Sequence, residues 1–357
     1  MRAGSPFRRE RRSHRPWRGA DPPRRVLIIR LHAIGDVALV LPAASRVARA
    51  WPGARLDMLT APTGREIAGS LTAFRNVLLL DVSGSPLRRI VGALRQGICL
   101  RKARYDVIID FQRNYLTRII RWVSGPTAWS EFDRFSPHSA AERTLSTLAS
   151  CGVPHPAHDI PFPQSPGAIA AAAGRLAEAG WDGSTRLAVF NPAGLWATRN
   201  WPMENYVELL RLWRSREPVQ VLILGTERVR ERGEEIARRS GGGVINLAGE
   251  TSGGEAFALL RHAHVIVTED SGLMHMAWGA GVPVVALFGS TNSTWASPPA
   301  AHAVSLDSRD MPCGCCMEPS CVLGDVRCLA RRTPGEVLRA ATALLMRCEP
   351  LSPGENG

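Results

Sequence analysis

The sequence predicts an α/β protein made of two Rossmann-like halves, and three observations predict it. Short apolar runs that read as buried parallel strands alternate with helical segments from Arg25 onward. A proline-dense stretch with Pro154, Pro156, Pro161, Pro163 and Pro166 interrupts that alternation, as a connection between domains would. The chain of 357 residues also exceeds the size at which one hydrophobic core stops growing, so two domains are expected.

Arg25–Arg30 (RVLIIR) is the first strand. It breaks at His32-Ala33-Ile34-Gly35-Asp36; a helical pattern then runs from Val37 to about Trp51, where Pro52-Gly53 ends it. Arg55–Thr60, Val77–Asp81 and Tyr105–Phe111 follow as strands. Beyond the prolines an Ala-rich helix leads into a second series. Its strands are Arg186–Asn191, Val219–Gly225, Val244–Leu247, Val265–Thr268 and Val282–Phe288. Its helices are Met203–Arg214, Glu227–Arg239, Glu255–His262 and Leu273–Gly281. Such alternation implies parallel sheets covered on both faces. Two Rossmann-like domains facing across a cleft are the outline of the GT-B architecture.

Composition narrows the class. Hydrophobic residues make up 45% and charged residues 21%, as in ordinary globular proteins. No apolar run approaches the ~18–20 residues that span a bilayer. The first 25 residues carry nine arginines but no apolar stretch of a secretory signal, and nothing hydrophobic follows Arg8-Arg9, so a cytoplasmic body is expected. Net charge is +12. The basic tail reads as disordered, either attracted to an anionic surface or simply solvated. No nucleic-acid-binding module accompanies it, so charge alone does not support a nucleic-acid partner.

Three segments carry chemistry. In Thr268-Glu269-Asp270-Ser271-Gly272-Leu273-Met274-His275, a strand delivers Asp270 and Ser271 to the sheet edge and Gly272 turns the chain into a helix. The first N–H groups of that helix lack intrahelical partners and sit at the positive end of its dipole, an anion site suited to a pyrophosphate. His275, in the first turn, reaches toward the same place. Read structurally, Asp270 is only a cap and His275 a packed core residue. In Phe190–Pro202, a small-residue loop brings Thr198 and Arg199 ahead of Trp201-Pro202, where a hydroxyl and a cation can orient a diphosphate. The alternative is a surface arginine before a Pro-initiated helix. In the third segment Gly35 permits a tight strand-to-helix turn and Asp36 is either a helix cap or a carboxylate able to take a proton from an acceptor hydroxyl.

The segments RVLIIRLHAIGDVALVLPA, NPAGLWATRNWP, NLAGETS and EDSGLMHMAWGAGVPVVALFGST, in this order, resemble the signatures of glycosyltransferase family 9, the ADP-heptose:lipopolysaccharide heptosyltransferases and their relatives. The resemblance runs from about Arg25 to Val337. It implies an inverting, metal-independent transfer of heptose from ADP-heptose to an acidic glycolipid acceptor of the lipopolysaccharide inner core. Asp36 is then the catalytic base. Thr198, Arg199, Asp270, Ser271, Gly272 and His275 hold the donor, and Glu227 is the ribose-binding acid. Arg199 stands where the family usually has lysine, and Glu269 where close relatives often have asparagine. The implied organisation is a basic tail over 1–24, an acceptor-side domain over 25–165, a nucleotide-sugar domain over 166–345 and a flexible tail over 346–357. Peripheral contact with the cytoplasmic face of the inner membrane accompanies such an acceptor, and Arg113 and Arg118 are candidates for its basic face or are ordinary surface arginines.

No cofactor is expected. Walker and aspartate-x-aspartate motifs are absent, and no G-x-G-x-x-G follows Val26–Arg30 or Arg186–Phe190, which argues against a dinucleotide dehydrogenase. Cys313, Cys315, Cys316, Cys321 and Cys328 have spacings that suit a metal or a reduced loop packing the C-terminal segment onto the fold, and none is taken as a site residue. Two other readings stay open: a GT-B transferase using a different nucleotide sugar, and a non-catalytic nucleotide-sugar-binding protein.

Overall fold

The structure is a computed structural model, and it describes residues 14–31, 34–69, 71–136, 138–153, 164–298 and 301–348. The first half runs β1 (His14–Arg15), β2 (Arg25–Ile29), α1 (Ile34–Ala50), β3 (Arg55–Thr60), α2 (Arg65–Gly69) and β4 (Asn76–Leu79). It continues with α3 (Pro86–Ala103), β5 (Val107–Asp110), α4 (Tyr115–Ser124), β6 (Ala128–Glu131) and α5 (Ala140–Ser150). The second half runs α6 (Pro166–Glu178), β7 (Arg186–Asn191), α7 (Met203–Arg214), β8 (Val219–Ile223), α8 (Glu227–Arg239), β9 (Val244–Asn246) and α9 (Gly253–Leu260). Then come β10 (Val265–Glu269), α10 (Gly272–Gly279), β11 (Val284–Leu287), α11 (Ser293–Ala296), β12 (Ala303–Leu306), α12 (Arg327–Ala330) and α13 (Pro334–Arg347).

These strands form two six-stranded sheets, ordered β1-β6-β5-β2-β3-β4 and β12-β11-β10-β7-β8-β9. Every pairing is parallel except β1 with β6. Strand order reverses between β2 and β5 in the first sheet and between β7 and β10 in the second. Crevices at the carboxyl ends of such strands are where open α/β sheets place their ligands.

Alternate strand residues face opposite layers, as a pleat requires. Leu27 and Ile29 pack outward with Leu100, Leu116 and Ile120, on the side of α3 and α4. Ala188 and Phe190 pack outward with Tyr206, Leu210 and Leu338, on the side of α7 and α13. The inner faces share one cluster, in which Val26 and Ile28 join Leu187, Val189 and Ile266 through Val37 and Leu41 of α1 and Met274 and Ala277 of α10. Beneath the facing sheet edges, the two halves therefore have a common apolar core.

The tail expected to lack structure through residue 24 is ordered from His14. His14 and Arg15 pair antiparallel with Ser130 and Trp129. Trp17 packs on the inner core, and its backbone N–H donates to the Cys151 carbonyl at 3.0 Å. An apolar indole and an open strand edge outweigh the surrounding charge here. Residues 1–13, the prolines from Pro154 to Pro163, and 349–357 lie outside the described residues. Among the described residues no helix is long and apolar enough to cross a membrane.

Candidate active site at the facing helix termini

The loop after β2 and the loop after β10 end in helices whose first turns touch. Gly35 and Gly272 lie backbone to backbone: a Cβ on Gly35 would come within 2.6 Å of the Gly272 Cα. Any side chain at Gly35 would force the two helices apart. His32 and Ala33 lie outside the described residues. The helix begins at Ile34 and not at Val37, which puts Asp36 inside the first turn, where a carboxylate favours the helix dipole.

Asp36 is held by Arg30, the residue after β2. The two side chains pair at 2.8 Å, with the Asp36 carboxylate 38% exposed and the Arg30 side chain 14% exposed. Arg30 also donates to the Phe111 carbonyl and lies over the Phe132 ring at 5.8 Å, so its guanidinium is fixed from three sides. Asp36 keeps access to solvent while its direction is set from behind.

Across the contact, Ser271 begins α10 with an extended backbone but does not cap it. Its hydroxyl donates instead to Asn191 Oδ1 at 2.5 Å, and Thr268 donates to the same oxygen at 3.0 Å. Asn191 itself donates to the Leu224 carbonyl at 2.7 Å, which ties together the ends of β7, β8 and β10. The first N–H groups of α10 thus receive no side-chain cap and remain available to an anion. His275 is buried in the first turn of α10, and its Nδ1 has no hydrogen-bond partner among the described residues. Burial lowers its pKa, against the opposing pull of Asp270 and Asp36. Carboxylates from both halves therefore act on one largely neutral imidazole.

Arg199 approaches from the loop after β7, in a short 3-10 turn over Ala197–Arg199. Its Nη1 pairs with Asp270 at 3.2 Å, and its guanidinium stacks on the Trp196 ring at 3.9 Å. The buried Arg199 Nε has no hydrogen-bond partner among the described residues. Thr198 is placed differently from its neighbour: its buried hydroxyl meets Ser290 Oγ at 2.8 Å and donates to the Glu318 carbonyl at 2.6 Å. That hydroxyl anchors the loop instead of facing the helix termini. Glu227 opens α8, is 70% exposed, and pairs with Arg230 at 2.9 Å, apart from the Arg199–Asp270 pair.

Glu269 explains how the Arg199 loop keeps its shape. Its fully buried carboxylate accepts from the backbone N–H groups of Gly194 at 2.5 Å and Trp201 at 2.7 Å, and from Tyr206 Oη at 3.3 Å. Arg232 lies 3.6 Å away. Burial outweighs these stabilising partners and raises its pKa to about 7. Sequence reasoning noted Glu269 only as a departure, and it passed over Arg30 and Asn191. In each case the available signal was a polar residue at the carboxyl end of an apolar strand.

Of the two candidate acceptor-side arginines, Arg118 forms paired hydrogen bonds with Glu131 at 3.1 and 3.0 Å. Arg113 pairs with Asp133 at 2.6 Å. Arg121 lies against Glu131 at 2.5 Å as well, so a mostly buried carboxylate organises this basic cluster. The cysteines are free thiols, and among the described residues no group of three or more His, Cys, Asp or Glu is placed to hold a metal ion. Their loop docks on the Arg199 segment, where Met317 N donates to the Ser290 carbonyl at 2.8 Å beside the Thr198–Glu318 bond. A cavity of 1180 Å³ lined by Trp181, His262, His264 and Trp278 contains none of these site residues.

Comparisons with known proteins agree with this architecture. The family described as glycosyltransferase family 9 (heptosyltransferase) matches residues 93–327. Lipopolysaccharide heptosyltransferase 1 of Pseudomonas aeruginosa is 27% identical, over 92% of this chain and 99% of that protein. The solved structure of E. coli ADP-heptose lps heptosyltransferase II superposes with a TM-score of 0.71 at 20% identity, covering 90% of this chain and 99% of that one. The E. coli heptosyltransferase WaaC, solved with ADP-2-deoxy-2-fluoro heptose, superposes with a TM-score of 0.65 at 19% identity, over 89% and 99% of the two chains. At these identities the superpositions establish the fold, two parallel-sheet domains of the GT-B kind.

Proposed function

The chain belongs to glycosyltransferase family 9, and from that premise we propose that it moves heptose from ADP-heptose to an inner-core sugar of a lipopolysaccharide acceptor by a single inverting displacement. The observation that carries the reading is the contact of the two helix N-termini at Gly35 and Gly272. The partly exposed Asp36 carboxylate of one half beside the uncapped N-terminus of α10 in the other supports the reading.

In this reaction Asp36 takes the proton of an acceptor hydroxyl as that oxygen attacks the anomeric carbon. The bond from that carbon to the β-phosphate oxygen breaks, and ADP departs with the electron pair. Attack from the face opposite the leaving group inverts the centre. Arg30 keeps the Asp36 carboxylate turned toward the acceptor. Negative charge gathering on the diphosphate meets the uncapped N-terminus of α10, the Arg199 guanidinium and the His275 imidazole. A neutral imidazole can donate one hydrogen bond there without needing a proton from solvent. Asp270 holds Arg199 in place before the donor arrives, and Glu227 is exposed at the head of α8, where ribose hydroxyls would meet it. The 25–165 segment would carry the acceptor and the 166–345 segment the nucleotide sugar, at the cytoplasmic face of the inner membrane.

The test is ADP release from ADP-heptose on deacylated inner-core acceptors, with wild type and Asp36→Ala. Acceptor-dependent release that disappears in the variant while donor still binds is the expected result. Activity with another nucleotide sugar alone would remove heptose from the proposal, and no turnover of any donor would remove catalysis.

A further inference from the structure

Helix α3 has two apolar stripes, and only one is used. Ala93, Gly97 and Leu100 are buried against the protein, and Gly97 is seated on Val123 and Ile120 of α4. The second stripe, Leu87, Val91, Leu94 and Ile98, recurs at alternating spacings of four and three and faces solvent. Leu87 is 71% exposed and Ile98 50%. Trp122, next in α4 to the residue that Gly97 rests on, is 82% exposed. Single exposed apolar residues need no explanation, but four in register along one helix form an unpartnered face.

The charge around that face selects its occupant. From Pro86 to Arg104 the chain contains Arg88, Arg89, Arg95, Arg101, Lys102 and Arg104 and no carboxylate. Arg88 pairs with Asp81 at 3.6 Å, while Arg95, Arg101 and Lys102 are exposed without a carboxylate partner among the described residues. On a helical wheel Arg88, Arg95 and Lys102 flank one side of the stripe and Arg101 the other. A second copy of the helix would bring these cations against their own kind, which opposes self-association. An anionic bilayer meets both features, taking the apolar stripe at its headgroup boundary and the cations among its phosphates. The helix also begins at the carboxyl edge of the first sheet, the edge that carries Asp36.

We propose that the exposed face of α3 docks this protein on an anionic phospholipid bilayer. The choice of a bilayer rests on the reading of the acceptor as a glycolipid. Docked there, the enzyme would meet its acceptor by diffusion in two dimensions, with the Asp36 edge near the headgroups.

The experiment is flotation of the full chain with acceptor-free vesicles, either of phosphatidylethanolamine and phosphatidylglycerol or of phosphatidylcholine alone. Wild type is compared with Leu94→Glu/Ile98→Glu and with Arg95→Glu/Lys102→Glu. Wild type should float with the anionic vesicles only, and each double variant should bind at least about tenfold more weakly. Transfer to a deacylated, soluble acceptor should be unchanged in both, since neither pair belongs to the reaction machinery. Failure of wild type to float, or equal flotation of the variants, overturns the proposal. So does a wild-type dimer that Leu94→Glu/Ile98→Glu converts to monomer, because a second copy would then cover the face. Flotation as expected with no transfer to any acceptor would leave the docking face standing and remove the heptosyltransferase reading.

Discussion

The Glu269 carboxylate accepts the backbone N–H of Trp201 at 2.7 Å, and through that bond the end of a central strand fixes the loop that carries Arg199. A carboxylate buried on a strand in this way is costly unless its lone pairs are filled, and both of its oxygens are. Glu269→Gln keeps the shape but turns an NH₂ group toward one of the two backbone donors. Donor affinity should fall about tenfold or more as Arg199 shifts, read as the ADP-heptose dissociation constant.

The same residue sets a pH dependence. Its pKa rises from 4.5 in the unfolded chain to about 7 in the fold. Between those values the folded protein holds a proton that the unfolded chain has released, so stability falls as pH rises through this window. The decline should be at most about 3 kcal/mol. Denaturant unfolding at the two ends of the window checks it, and Glu269→Gln should flatten this contribution.

Arg30 is fixed by Asp36, the Phe111 carbonyl and the Phe132 ring, so its expected effect is one of positioning the Asp36 carboxylate. Arg30→Met should lower kcat by about a hundredfold with donor KM nearly unchanged, since general-base catalysis depends on the aim of the base. Arg30→Lys, which restores a cation without the fork, should recover part of the loss. A matching rise in donor KM would place Arg30 in donor binding instead.

Gly35→Ala tests the contact between helix termini directly. The added methyl meets the Gly272 Cα at 2.6 Å, and backbone cannot rotate away as a side chain would. We expect a cost of about 1–3 kcal/mol in stability and a loss of turnover larger than that of donor binding. Calorimetry and steady-state kinetics on the same preparation separate the two effects.

Replacing Arg199 by lysine should be harmful although the positive charge is kept. Arg199 stacks on Trp196 and pairs with Asp270, and an ammonium reproduces neither geometry fully. Arg199→Lys should weaken ADP binding by about threefold to tenfold and Arg199→Ala by more, measured by titration calorimetry.

Local pattern carried much of the fold. β3, β7, α7 and α8 have the bounds that periodicity predicts, because Pro and Gly stop the pattern abruptly near their ends. The expected GT-B outline is the architecture found. β6 and β12 were not anticipated: Ala128–Glu131 and Ala303–Leu306 are short and partly polar, and they become strands by adding to an existing sheet edge. The segments that meet at the candidate site were legible where glycine, charge and helix start coincide in sequence, as at Gly35-Asp36 and Asp270–His275. The candidate site was not legible at Glu269, whose partners Gly194 and Trp201 lie 75 and 68 residues away. Nor does anything in the local sequence of Thr198 reveal that Ser290 and Glu318 occupy its hydroxyl.

The apolar cluster that passes from Val26 and Ile28 through α1 and α10 to Leu187 and Ile266 bears on whether the chain can be divided. Each half would leave its share of that cluster wet if expressed alone: Val37 and Leu41 on one side, Met274 and Ala277 on the other. Neither half is then a self-sufficient unit, and heating should melt both in one cooperative transition. A truncation that removes α1 or α10 would leave the other helix's apolar face exposed to water.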